Sequence, residues 1–105
     1  MRKAVVLIHG QVAGHLVEND EGFAFSYTPE YLQSDHPEPV SLSLPLTAQP
    51  YTSKVMFPFF DGLIPEGWLL EIAKKNWKLK ERDRMGLLLA CCQDCIGAVS
   101  IQEEI

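Results

Sequence analysis

Residues 4–8, AVVLI, form an unbroken apolar run rich in β-branched side chains and predict a first strand. His9, Gly10 and Gln11 turn the chain, and residues 12–18, VAGHLVE, return as a second strand. Asn19, Asp20, Glu21 and Gly22 are a strong turn signal. In FAFSY, residues 23–27, Phe23, Phe25 and Tyr27 alternate with smaller side chains, the period of a strand with one buried face. Together these predict a three-strand antiparallel meander. Pro29-Glu30-Tyr31-Leu32 predicts a single helical turn with Pro at its first position.

Residues 33–40 are polar, hold Pro37 and Pro39, and read as an irregular loop. SLSLPL at 41–46 places Leu42, Leu44 and Leu46 on one face of an extended segment, and Pro45 confines it to an edge. Residues 47–58 read as a loop, with Lys54 to Phe57 as a candidate short strand. Two helices are predicted next. One opens at Pro65-Glu66 and runs to about Asn76; the other is capped by Asp83 and runs through MGLLLACC. Asp94 to Gly97 turn the chain into a last strand, AVSIQ, at 98–102. The expected fold class is α+β: one domain over 1–105, with a small antiparallel sheet (meander plus edge and C-terminal strands) and two packed helices.

Laid out at about 100° per residue from Leu69, the first helix carries Ala73, Trp77 and Leu70 within about 100° of one another, which marks the core stripe. Trp68 falls about 260° round, beside Lys75. It is therefore expected off the stripe. Two placements fit it: burial under the preceding loop, or exposure as an anchor for a partner, a role for which Trp is preferred. Trp77 is read as core.

Composition sharpens this picture. The chain has 105 residues, 47% hydrophobic and 22% charged, as expected of one globular domain rather than a disordered chain. Its net charge of −5 argues against direct nucleic-acid binding. Lys74, Lys75, Lys78, Lys80, Arg82 and Arg84 nevertheless cluster, either as a solvated face or as a receiver for an acidic partner. No stretch has the length of a membrane span, and the N-terminal run reads as a strand rather than a signal peptide. Three cysteines, two of them adjacent, do not suggest a secreted disulfide scaffold, so a cytoplasmic setting is expected.

Candidate chemistry is sparse. Cys92-Gln93-Asp94-Cys95 is a C-x-x-C, but it closes a predicted helix instead of opening one. With Cys91 and three dispersed histidines (His9, His15, His36) it lacks zinc-ligand spacing. Structural thiols are the preferred reading. No nucleophile elbow, phosphate-binding glycine loop or paired carboxylates stand out, so the chain reads as a binding module, not an enzyme, with no cofactor or metal.

One segment resists a simple reading. FFDGLIPEGW, residues 59–68, is strongly apolar yet punctuated by Gly, Pro and Asp. Phe59, Phe60, Leu63 and Ile64 are expected to tuck beneath the sheet and the helix start, while Pro65 to Gly67 turn the chain and carry Trp68 to the other side.

SLSLPL (41–46), PYTSKVMFPFFDGLIPEG (50–67) and GLLLACCQDCIGAVSI (86–101), in this order, resemble the N-terminal subdomain of HipA-type serine/threonine kinases. The resemblance covers nearly the whole chain. It departs at Gly62-Leu63-Ile64, where that subdomain usually has Asn-Leu-Leu, and at Cys92, where Gly is common. HipA kinases continue with a phosphate-binding loop, a catalytic Asp and a metal-binding Asp, none of which is present here. A free-standing cap of this kind is similar to HipS, the small antitoxin family of the tripartite HipBST toxin–antitoxin systems. The resemblance implies a HipT-like serine/threonine kinase toxin as partner, with a HipB-like helix-turn-helix protein making the DNA contact in the same complex. The expected mechanism is steric: the cap docks on the kinase, and Trp68 wedges near the nucleotide cleft and blocks lobe closure. Phe59, Phe60, Asp61 and Glu71 are the accompanying candidate contacts. Three alternatives stay open: a detached subdomain that activates its kinase, a small thiol or metal protein, and an excised piece of a longer kinase. Thiol titration of the unfolded chain should count three free cysteines, and elemental analysis should find no stoichiometric metal. Bound zinc or a missing thiol would favour the metal or redox reading instead.

Overall fold

A computed structural model of the chain describes residues 2–64, 84–91 and 98–103. The three strands expected from pattern are present as β1 (Lys3–Ile8), β2 (Gln11–Asn19) and β3 (Gly22–Tyr27). The helical turn α1 (Pro29–Leu32) follows, then β4 (Tyr51–Ser53), α2 (Pro58–Asp61), α3 (Arg84–Cys91) and β5 (Val99–Glu103). The sheet is antiparallel throughout, in the order β4-β3-β2-β1-β5. The meander is its centre, and the late strands extend it at both edges.

Local chemistry sets the meander's register. His9 and Gly10 both have positive φ, 51° and 80°, as a two-residue hairpin turn requires to match the strands' twist. The His9 N–H donates to the Ala98 carbonyl at 2.7 Å, fixing where β5 joins β1. At the strands' other end, the Arg2 guanidinium grips both Glu18 carboxylate oxygens, at 2.8 and 2.9 Å. Between Val6 and Leu7 the pairing slips, a bulge that leaves Ala13 as the extra residue of β2. Gly14 beside it is forced to be small. A Cβ there would strike the Ser26 carbonyl and come within 2.9 Å of the Phe25 ring.

One face of the sheet carries the core. Ala4, Val6, Ile8, Leu16, Phe25, Tyr27 and Ile101 are buried on it, the period-2 choice of positions that a half-covered sheet demands. Its cover includes α3, whose Met85, Leu87, Leu88 and Leu89 are all buried. A helix apolar on so much of its circumference must be enclosed. The other predicted helix, with Trp68, Glu71, Trp77 and the basic residues Lys74 to Arg82, lies outside the described residues, as do Asp83, Cys92 and Cys95.

Two expectations for the middle of the chain are corrected. SLSLPL is not extended. The Leu44 N–H donates back to the Ser41 carbonyl at 3.1 Å, closing a tight turn that buries Leu44 (4% exposed) and expels Leu42 (96% exposed). Alternation misleads because the backbone reverses inside the motif. The short strand, in turn, is Tyr51–Ser53 and not Lys54–Phe57, because Tyr51 pairs with Phe25 and the chain has left the sheet by Lys54.

The loop that contains this turn is held by the chain's three tyrosines. The buried Tyr27 hydroxyl accepts from the Val40 N–H at 3.0 Å and donates to the Leu44 carbonyl. The Tyr31 hydroxyl exchanges bonds with the Glu38 carbonyl and N–H, at 2.9 and 2.8 Å. The Tyr51 hydroxyl donates to the Pro45 carbonyl at 2.7 Å. An irregular segment satisfies few of its own backbone groups, so side chains supply partners where it is buried.

Burial raises the Tyr27 phenol above its ordinary value of 10.0, against a smaller opposing pull from the Val40 N–H. The folded chain thus keeps this proton where the unfolded chain has lost it. Its contribution to stability is complete below about pH 10 and is lost as pH rises beyond that. Tyr27→Phe should lower stability by about 1–3 kcal/mol near neutral pH by stranding two backbone groups. Thermal melts should also show a shallower alkaline loss for the variant than for the parent chain.

Candidate partner-binding surface

The FFDG corner is built on an aromatic cluster. Pro58 forces the residue before it into extended geometry, and Phe57 obeys with φ −56° and ψ 134°. Pro58 then occupies the first position of α2, where its missing N–H costs nothing. The Asp61 and Gly62 N–H groups close the helical turn onto Phe57 and Pro58, both at 2.9 Å. Leu63 and Ile64 continue the winding as a tighter three-residue turn, with longer bonds to Phe60 and Asp61 at 3.1 and 3.2 Å. This winding brings Phe57, Phe60 and Ile64 to the same inward side, all buried.

Phe60 is the hub. Its ring centroid lies 5.3 Å from Phe25 on β3, 6.1 Å from Phe57 and 5.3 Å from Phe59, all at steep interplanar angles. Such tilted contacts place ring edges against ring faces. Phe25 passes the contact on to Tyr27 at 4.9 Å, and Tyr27 stacks on Tyr31 at 6.3 Å.

The candidate contacts therefore separate. Phe60 is fully buried at 0% exposure and serves the fold, so it is withdrawn as a surface contact. Phe59 is partly buried, packed against the core with one side toward solvent. Asp61 keeps 42% of its side chain exposed and accepts from the Arg84 guanidinium at 2.5 Å. That bond ties α2 to the first residue of α3 across 23 positions of sequence. Nothing in the sequence pairs the two, since Arg84 reads only as the end of a basic cluster. Trp68 and Glu71 are outside the described residues.

Among the described residues no group of three His, Cys, Asp or Glu side chains is placed to hold a metal. No described helix is long and apolar enough to cross a membrane. An open recess of about 520 Å3 lies elsewhere, lined by Asn19, Glu21 and Phe23 at the β2–β3 turn and by Thr52, Ser53 and Lys54. Its walls bring together no nucleophile, base and oxyanion donors.

The family model of the HipA N-terminal domain matches residues 4–102. The chain belongs to the HipA N-terminal domain family. Its fold superposes on a solved structure described as "N-terminal domain of HipA toxin" with a TM-score of 0.80 and 33% sequence identity, covering 100% of this chain and 94% of that one. An uncharacterized protein of Haemophilus influenzae is 38% identical over 104 residues, 99% of this chain and 94% of that protein. "Putative kinase Y4mE" of Sinorhizobium fredii is 34% identical over 96 residues. Those residues are 90% of this chain and 23% of that protein. The HipA N-terminal domain thus occurs both as nearly a whole protein and as under a quarter of a longer one.

Two substitutions should separate fold from surface on the α2 corner. Phe60→Ala should cost about 3–5 kcal/mol, a large part of the stability of a domain this size. Asp61→Asn breaks a partly exposed ion pair and should cost about 1 kcal/mol or less. Urea titration of both variants gives the comparison.

Proposed function

We propose that this chain is an antitoxin that binds and neutralises a separate HipA-like, HipT-type serine/threonine kinase toxin. One observation carries the reading. The same domain is almost the entire Haemophilus influenzae relative and only 23% of "Putative kinase Y4mE". A module found both alone and within a kinase-named chain suits a subunit that docks on a kinase in trans. On this reading it is not an enzyme, needs no cofactor or metal, and works in the cytoplasm. A HipB-like helix-turn-helix protein takes the DNA contact, in keeping with the net charge of −5.

The mechanism is steric and conformational. A cap inhibits a two-lobed kinase if it binds the open state more tightly than the closed one. Phe59 and Asp61 shortly precede in sequence the segment that carries Trp68 and Glu71, and α2 itself is anchored to the core by Phe60. Trp68 is the wedge: a single Trp held in a cleft buries on the order of 200 Å2 and blocks closure. A second reading has its own support. The occurrence of the domain inside "Putative kinase Y4mE" also suits a subdomain that completes and activates its kinase.

Co-expression with a HipA-like kinase encoded beside this chain separates the two. Growth should be restored by the chain, whereas an activator would deepen the toxicity. Trp68→Ala should retain the far-UV dichroism of the parent chain and lose most of the rescue. Full rescue by this variant would remove Trp68 as the wedge and leave general docking.

A further inference from the structure

Leu42 stands at the apex of the Ser41–Leu44 turn with 96% of its surface exposed. The turn beneath it is immobilised from several directions. The single Tyr27 hydroxyl bonds the Val40 N–H on one side of the apex and the Leu44 carbonyl on the other. The Ser41 carbonyl accepts the Leu44 N–H, and the Ser41 hydroxyl accepts the Ser43 N–H at 3.2 Å and bonds the Ser43 hydroxyl at 3.0 Å. Pro45 stiffens the exit, with its carbonyl held by Tyr51. A connection between α1 and β4 has no need of a leucine at its tip, and a polar residue there would be better solvated. Fixing the backbone in advance removes most of the ordering cost of inserting that leucine into a partner.

We propose that the Leu42 turn is a second docking point, a preorganised apolar knob that enters an apolar socket on the kinase body. The inference rests on the kinase-binding reading above and adds a contact on a different element from the α2 corner. The occupant follows from two observations. In "Putative kinase Y4mE" the matched segment is 23% of the protein, so there this domain is joined in one chain to a kinase-named remainder about three times its size. A second copy of this chain is a poorer fit. Two symmetry-related leucine knobs would bury roughly 100 Å2 each, far short of the roughly 800 Å2 per partner of a stable interface.

The test measures affinity for a purified HipA-like kinase encoded beside this chain by isothermal titration calorimetry. Leu42→Ala should raise Kd at least tenfold and Leu42→Asp further, whereas Leu42→Met should stay within about threefold of the parent. Val55→Asp, at another exposed apolar position (68% exposed), should leave Kd unchanged. Melting temperatures of the Leu42 variants should match the parent, because this side chain makes almost no internal contact. Kd within twofold of the parent for Leu42→Asp would overturn the proposal while leaving kinase binding intact. A parent chain that does not bind the kinase at all would overturn both. A parent dimer in light scattering that Leu42→Asp dissociates, with kinase affinity unchanged, would overturn it in favour of self-association.

Discussion

The contact between Phe25 and Phe60 joins the two halves of this domain. Phe25 belongs to a meander that turn chemistry and strand period can organise locally. Phe60 belongs to a four-residue helix far too short to persist alone. At 5.3 Å between ring centroids, both rings are fully buried and each covers part of the other. Gly14 is small so that Phe25 can lie over β2, and Phe57, Phe59 and Ile64 pack outward from Phe60. The placement of α2 against the sheet rests on this contact. The Asp61–Arg84 bond then aligns the start of α3 with the end of α2.

The tyrosines solve a different problem. Between α1 and β4 the chain runs through four prolines (Pro37, Pro39, Pro45 and Pro50) and almost no regular structure. Its backbone groups would be left unpaired wherever they are shielded from water. Tyr27, Tyr31 and Tyr51 each extend an aromatic body along the core and deliver a hydroxyl to that backbone. Tyr27 and Tyr31 therefore continue the aromatic column and fasten the loop to it, and Tyr51, from β4, holds the loop at Pro45. This is why an irregular segment can hold one buried leucine and one projecting leucine two residues apart.

The meander, α1, the last strand and the apolar helix over Arg84–Cys91 were legible because each depends on signals a few residues apart: period, turn residues, Pro at a helix start. Family membership was legible for a related reason, since SLSLPL, FFDGLIPEG and GLLLACCQDCIGAVSI stand in order along the chain. SLSLPL itself was misread. Its strict alternation is a strand signal, and only the Ser41–Leu44 bond and the Tyr27 clamp, 13 and 17 residues away, turn it into a loop. Among the candidate contacts, Phe59 and Asp61 remain at the surface, whereas Phe60 does not. Two adjacent phenylalanines look alike in sequence, and helical winding places one inward and one at the margin.

The sequence by itself determined the meander, its turns and the last strand, because those follow from backbone sterics and the period of the side chains. It also determined the family, and with it the direction in which function is sought. Tertiary structure decided which edge of the sheet each late strand joins. It decided that Asp61 meets Arg84, and that Leu42 faces water while Leu44 does not. Each of these depends on groups distant along the chain meeting in space. No local pattern encodes such a meeting, because it exists only once the aromatic column has closed.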